Sequence, residues 1–419
     1  MNCAFSQQRH KMEGMLIKNT NFSIQFILDQ IRRSFDLEEA QNEQKSTECP
    51  VANQLDSFEA IDITGGAAFM SSILKVTFHW KEPKKGHPFP DSVVLKIPGP
   101  KYNSLVAQNG REEQTDNAME EESSDYLIKA HTTEIRFYKN FPRFDASLRL
   151  PKFYFGSDYS PSHNNGLIIM EDLSSRASSL LTLPGFDDVH VLAVIDELSK
   201  VHAISWKHGE LKQIFPVEIR PSFIESMRSN AKQLAKIEPN QVGPLIDRLL
   251  SMFNVDYYAM ALYTGDKYGF PSCIVHSDLW SPNILWEKNA NGEPSDRLCA
   301  IIDWQTLHDG NPCNDLSRLL ALNTPGQYRR ENTGRLLEYY AKKVAEQMGG
   351  TAPFTTEQLR VAYKHSLPFS MMYLCFGASC YYHMESVIGK TPNEQKDKRT
   401  ELLQRVRMFL EDTIAEFGV

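Results

Sequence analysis

Near residue 172 the hydrophobic period of this chain changes, and few folds accommodate such a change. Upstream, short β-branched and apolar stretches recur at Glu59–Thr64, Phe69–Trp80, Ser92–Ile97, Leu150–Phe155 and Gly166–Met170. Broken by turn-forming runs such as Lys-Glu-Pro-Lys-Lys-Gly-His-Pro after Trp80, they read as strands of a small antiparallel sheet. Two amphipathic helices, Ser23–Phe35 and Tyr126–Phe141, accompany them. Downstream, helical segments dominate, over about 188–208, 219–236, 243–263, 329–348, 355–385 and 395–416. Short strands at Ser272–His276, Ile284–Glu287 and Cys299–Asp303 interrupt them. The expected class is therefore α+β. The chain of 419 residues suits two or three folding units. We expect an N-terminal extension 1–58 with one helix, a sheet-bearing lobe 59–172 and a helical lobe 173–419. The polar run 99–124, with Glu112, Glu113, Asp116, Glu120, Glu121 and Glu122 close together, reads as a solvated insertion.

Charge narrows the partners. With 45 basic and 53 acidic residues the chain carries a net −8. A mildly anionic surface is poorly suited to nucleic acid, whose backbone is bound through Lys/Arg counterion release. No apolar run approaches the ~20 residues that span a bilayer, so membrane insertion is not expected, and nothing marks an obligate protein partner. Seven scattered cysteines form no CxxC pair, and the first residues hold no apolar leader segment. A reducing, cytoplasmic setting is expected.

The most informative stretch is Ile274-Val-His-Ser-Asp-Leu-Trp-Ser-Pro-Asn-Ile-Leu-Trp286. It contains His276-x-Asp278-x4-Asn283, flanked by apolar residues. A second apolar strand, Ala300-Ile-Ile302, ends on Asp303-Trp304. Two carboxylates and a carboxamide, each beside a short buried strand, can hold a hard cation and a hydroxyl nucleophile together. Phosphoryl transfer asks for little more than positioning, charge neutralisation and one base. The first part offers candidate phosphate-binding residues. Gly65 and Gly66, followed by Ser71, lie between two strands, where backbone N–H groups can approach an anion. Lys96 stands on the apolar strand Val93-Val-Leu-Lys-Ile97, and Glu134 lies in the following helix. Taken singly, each has an ordinary reading: a hairpin glycine pair, an edge-strand lysine with its stem along the sheet, a helix-surface carboxylate. In chain order, Gly loop, Lys, Glu, HxDx4N, Asp, they follow the parts of a kinase.

Further stretches carry the same pattern: Phe69-Met-Ser71, Leu95-Lys-Ile-Pro98, His131-x2-Glu134-x2-Phe-Tyr138, Met170-Glu-Asp-Leu173, Ile302-Asp-Trp-Gln305, His308-x-Gly-Asn-Pro312 and Asn314-Asp-Leu-Ser-Arg-Leu-Leu320. Together with the HxDx4N block they resemble the ecdysteroid-kinase-like, or CHK-kinase-like (choline-kinase-like), family. That family lies within the aminoglycoside and choline kinase group of protein-kinase-like folds. The resemblance covers about residues 60–320. It implies a two-lobed kinase-like fold and ATP and Mg²⁺ as cofactors. It further implies phosphorylation of a hydroxyl on a small-molecule alcohol, a steroid-like or xenobiotic one being favoured. Carried onto this sequence, it makes Asp278 the base and His276 the brace of its loop. Asn283 and Asp303 would be the metal ligands. Lys96 would hold phosphates with Glu134 orienting it, and Glu171 to Leu173 would be the hinge facing adenine. Asp315 would be structural.

Family members often carry Gly-Glu-Asn where this chain has Gly66-Ala67-Ala68, which leaves the loop to act through its backbone. Two other readings follow. One is a catalytically weak pseudokinase serving as a binding or regulatory module; the other is a choline/ethanolamine-type kinase, with Tyr381, Tyr382 and Glu385 caging a cation. His202 is expected to be a packed core histidine. Phe369, Met372, Tyr373, Phe376 and Cys380 form a helical stripe expected to be core packing, the alternative being that part of it lines an apolar acceptor pocket.

Overall fold

The computed structural model describes residues 15–41, 55–64, 70–81, 89–99, 117–160, 162, 165–262 and 267–419. Gly65 and Gly66, and most of the acidic run, lie outside them. The chain forms two compact units, the first from the residues up to Lys139 with Pro151–Ser175, the second from Asn140–Leu150 with Arg176–Val419.

In the first unit, strands β1 (Leu55–Asp62), β2 (Ser71–Trp80), β3 (Ser92–Pro98), β4 (Phe153–Ser157) and β5 (Leu167–Glu171) make an antiparallel sheet of order β1-β2-β3-β5-β4. Side chains alternate across a strand. Leu74, Val76 and Phe78 of β2 and Val93 and Leu95 of β3 therefore share one face, and all are buried. Helix α1 (Ile24–Gln41) seals that face with Ile24, Ile27, Leu28 and Ile31. Each is worth about 1.5–3 kcal/mol of burial. The helix expected in an extension is thus part of the sheet's own core. Helix α2 (Asn117–Asn140) takes in the end of the polar run 99–124, which is helical from Asn117 rather than wholly an insertion.

The segment Asn140–Leu150, expected with the sheet, belongs to the second unit. There the Arg149 N–H donates to buried Glu197 at 2.5 Å, and the Ile301 N–H donates to the Arg149 carbonyl at 2.9 Å. The second unit holds β6 (Ala177–Ser179), α3 (Asp188–Lys207), α4 (Leu211–Ile214), α5 (Pro221–Ile237), α6 (Gly243–Leu249) and α7 (Val255–Leu262). The single helix expected over 243–263 is broken because the Asn254 side chain accepts from the Tyr257 N–H at 3.0 Å and starts a new one. Then come β7 (Cys273–Val275), β8 (Ile284–Lys288), β9 (Pro294–Ile301), β10 (His308–Gly310), α8 (Pro312–Asn323) and α9 (Gly326–Met348). Last are α10 (Thr356–Tyr381), α11 (Glu385–Ile388) and α12 (Pro392–Phe417). Strands β6-β8-β9 form one small sheet and β10-β7 another. Helices α10 and α12 each open on a Thr capping box. Among the described residues no helix is long and apolar enough to cross a membrane. The fold is α+β, a small antiparallel sheet followed by a mostly helical remainder.

Candidate active site

The two carboxylate-bearing strands of the second unit are neighbours. Strand β8 pairs with β9, and the Ile302 N–H donates to the Asn283 carbonyl at 2.9 Å. Asn283 and Asp303 are thereby brought side by side although 20 positions apart in sequence. Asp303 adopts a left-handed backbone (φ 67°), as does Ser277 (φ 70°). Non-glycine residues occupy that region at a cost, so surrounding bonds must hold them there.

Those bonds are present. Asp315, on α8, is fully buried and accepts from the backbone N–H of His276 at 2.8 Å and of Ser277 at 2.7 Å. Burial pushes its acidity the other way, yet the His202 bond and the backbone N–H of His276 hold its carboxyl below the usual 3.8. His202 Nε2 donates to Asp315 at 3.2 Å while its Nδ1 faces the Tyr340 hydroxyl at 2.6 Å. His202 is thus a core histidine, and it buttresses the loop from behind. His276 Nε2 donates to the Ile302 carbonyl at 3.0 Å, and its Nδ1 accepts from the Asp278 N–H at 3.2 Å. Its ring lies 4.5 Å from Trp304. Asn283 Nδ2 donates to the Asp278 carbonyl at 3.0 Å. The Asn323 side chain holds the Leu279 carbonyl at 2.9 Å. Loop 276–283 is therefore anchored by Asp315, the Ile302 carbonyl and Asn323, with the Asp278 side chain partly exposed (23 %). It can accept a proton from a bound hydroxyl.

Asp278 has a partner that sequence reasoning missed. Arg318, one turn after Asp315 on α8, donates from Nη2 to Asp278 Oδ1 at 3.1 Å, and its guanidinium lies 4.7 Å over the Tyr373 ring. Trp280 stacks on Tyr381 at 5.4 Å and 7°. Of the predicted stripe on α10, Phe369 and Met372 are fully buried, whereas Tyr373, Phe376 and Cys380 are half-buried.

The first unit holds the remaining candidates. Lys96, central on β3, points away from the α1 face and bonds Glu134 of α2 at 2.6 Å; the side chains are 8 % and 1 % exposed. Close packing of this kind strengthens a charge pair only when both ions stay together. One turn earlier on α2, His131 donates from Nε2 to the Ser157 carbonyl at 2.8 Å. Burial lowers its pKa to about 4, keeping it neutral. Ser71 is buried at the start of β2. Glu171 closes β5 with its carboxylate on the Lys152 N–H at 3.1 Å, and Leu173 is buried. Between them Asp172, part of the expected hinge segment but given no role of its own there, accepts from Lys75 at 2.8 Å and from the Ser92 hydroxyl at 2.6 Å. Against the opposing pull of burial, these bonds and those of Ser174 bring its pKa to about 2.

Among the described residues no three His, Cys, Asp or Glu side chains gather as a metal site. Asn283 and Asp303 offer two oxygen donors, which fits a cation that takes its other ligands from phosphate and water.

Comparison with known proteins places the chain. The family model for DUF1679, described as "Uncharacterized oxidoreductase dhs-27", matches residues 33–418. Similar curated proteins include the uncharacterized kinase-like protein D1044.1 of Caenorhabditis elegans, 29 % identical over 71 % of this chain and 79 % of that protein. Uncharacterized oxidoreductase dhs-27 of the same organism is 23 % identical over 74 % of this chain, but the match spans only 38 % of that longer protein. Among solved structures, choline kinase from Cryptosporidium parvum aligns at TM-score 0.46 and 12 % identity, covering 86 % of this chain and 92 % of that one. The chain belongs to the DUF1679 family.

Proposed function

For this member of the family we propose transfer of the terminal phosphoryl group of ATP to the hydroxyl of a small, largely apolar alcohol. The observation that carries the reading is the pinned loop: Asp278 is presented on backbone that Asp315 holds through two N–H bonds, with Asn283 tied to the same residue. The acceptor hydroxyl gives its proton to Asp278 as its oxygen bonds to the γ-phosphorus, and the bond to the bridging oxygen breaks to release ADP. Asn283 and Asp303 would hold Mg²⁺, which supplies charge neutralisation on the phosphates. Lys96, kept in place by Glu134, would bind phosphates, with Ser71 and the backbone at Gly65 and Gly66; Glu171 and Leu173 would flank adenine. The name of the kinase-like relative supports the class of reaction. Half-buried rings of Tyr373, Phe376 and Phe223 in the unit that carries Asp278 support an apolar acceptor.

The test is ATP consumption across steroid, xenobiotic and choline-like alcohols with wild type and Asp278→Asn. Loss of the base should cut kcat by about 10²–10⁴ and leave nucleotide binding nearly unchanged. An Asp278→Asn enzyme that turns over like wild type would sink the assignment. A second reading, a binding module with little turnover, draws on Ala67-Ala68 following Gly66. It predicts nucleotide or acceptor binding without ATP consumption.

A further inference from the structure

Helix α12 is remote in sequence from the catalytic loop, yet one of its side chains grips the backbone that holds that loop. Arg405 is 1 % exposed. Its Nη1 donates to the carbonyls of Thr182 at 2.9 Å and Leu322 at 2.7 Å, its Nη2 to the Pro184 carbonyl, and its Nε to Glu401 at 2.8 Å. The three carbonyls belong to two stretches, the segment leading into α3 and the last turn of α8. Both stretches bond the catalytic loop. The buried Ser281 hydroxyl donates to the Leu180 carbonyl at 2.6 Å, and the Asn323 side chain donates to the Leu279 carbonyl at 2.9 Å. They also bond each other, the Phe186 N–H donating to the Asn323 carbonyl at 2.6 Å. Gly185 lies at this junction with φ 94°, and a Cβ there would overlap the Asn323 carbonyl oxygen.

Packing α12 does not by itself require a charge. Taking a guanidinium out of water is costly, and an apolar side chain of similar volume often serves stability as well. What arginine adds is geometry: a planar fork that fixes the directions of several acceptors at once. The last carbonyls of a helix lack intrahelical partners, and a cation beside them is favourable. Here the fork satisfies one such carbonyl of α8 and ties it to the Thr182 and Pro184 backbone. Asp315 and Asn323 both lie on α8, so fixing its end fixes the frame from which they hold the loop.

We propose that Arg405 is a positioning residue for the catalytic loop. By clamping the backbone at 182–184 to the end of α8, it sets where Leu279 and Ser281 are held, and Asp278 with them. The proposal rests on the reading of Asp278 as the base and deepens it.

Arg405→Lys keeps the charge but cannot span three carbonyls. Arg405→Gln sheds the buried charge and still offers an NH₂ to one of them, which gives the same comparison where lysine is not tolerated. Hydrogen exchange on the full chain, read by mass spectrometry where the variant is folded, compares peptides over 276–283 with peptides over α9, outside the clamp. Exchange over 276–283 should rise about tenfold or more, while α9 stays within about twofold of wild type. On the same samples kcat should fall about tenfold, with nucleotide affinity within about twofold. Ser281→Ala cuts one link of the loop and leaves Arg405 in place. Combined with the Arg405 variant, it should cost less kcat than the product of the two single losses, by about fivefold or more. An arginine that merely stabilises the fold would speed exchange in both regions alike or give multiplicative losses, and either result overturns the proposal. So does unchanged exchange over 276–283. A wild type that consumes no ATP would refute the phosphotransfer reading, and exchange alone would then decide the clamp.

Discussion

Replacing Asp315 by alanine tests how the catalytic loop is held. The carboxylate is fully buried and accepts two backbone N–H groups, from His276 at 2.8 Å and Ser277 at 2.7 Å. Alanine leaves both donors buried without an acceptor, at about 1–3 kcal/mol each. Removing a desolvated charge offsets part of that loss, and His202 keeps the Tyr340 hydroxyl at 2.6 Å. The net destabilisation is about 2–5 kcal/mol, which at roughly 2–4 °C per kcal/mol lowers the second unit's melting temperature by about 5–15 °C. Asp315→Asn retains one oxygen but turns an NH₂ toward the other donor, so it should lose about half as much. The pH dependence has a definite sign. The carboxyl is held below 3.8 in the folded chain, so its contribution is present above the ordinary carboxylate range and is lost as pH falls through the folded value. The gap between wild type and Asp315→Ala should therefore be full at pH 7 and shrink below about pH 4. Without these bonds Ser277 has no reason to keep φ at 70°. Asp278 would then move, and kcat should fall about 10²-fold. Calorimetric melts at both pH values, with ATP consumption on the same samples, give both readouts. An Asp315→Ala melt within about 1 °C of wild type at pH 7 would refute the account of the loop.

Two more perturbations follow from the same kind of reasoning. Glu134→Gln removes the carboxylate charge 2.6 Å from buried Lys96, so the first unit should lose up to about 3–5 kcal/mol in denaturant titration, and Mg·ATP should bind more weakly; unchanged stability would mean that this pair adds nothing to the fold. Gly377→Ala puts a Cβ 2.8 Å from Cε2 of Tyr381; it should displace that ring from Trp280, cost about 1–3 kcal/mol by overpacking, and change the Trp fluorescence, whereas a silent substitution would show that the stack is loose.

Period and motif made much of this chain legible in advance. The sheet residues of β2, β3 and β5 and the helices α3, α5, α9, α10 and α12 stand where apolar runs, alternation and helical spacing placed them, because the apolar residues of each are the ones it buries. The block from His276 to Asn283 and the pair Asp303-Trp304 were readable for a different reason: their chemistry needs particular side chains at short fixed spacings. Helix α8 was legible only as the run Asn314–Leu320, with Asp315 expected to be structural, and nothing gave Arg318 a role. All twelve of its residues are buried, so its polar side chains Asn314, Asp315, Ser317 and Arg318 face protein on every side and no amphipathic stripe marks them. What such side chains do depends on neighbours that only the folded chain supplies. Asp315 meets His202 across 113 positions. Arg318 meets Asp278 across 40. Lys75 meets Asp172, and α1 closes a sheet whose strands run to residue 171. Short-range pattern reports how each segment divides its surface between water and core, while pairing between buried charges is settled where desolvation makes every partner obligatory, and that happens only in three dimensions.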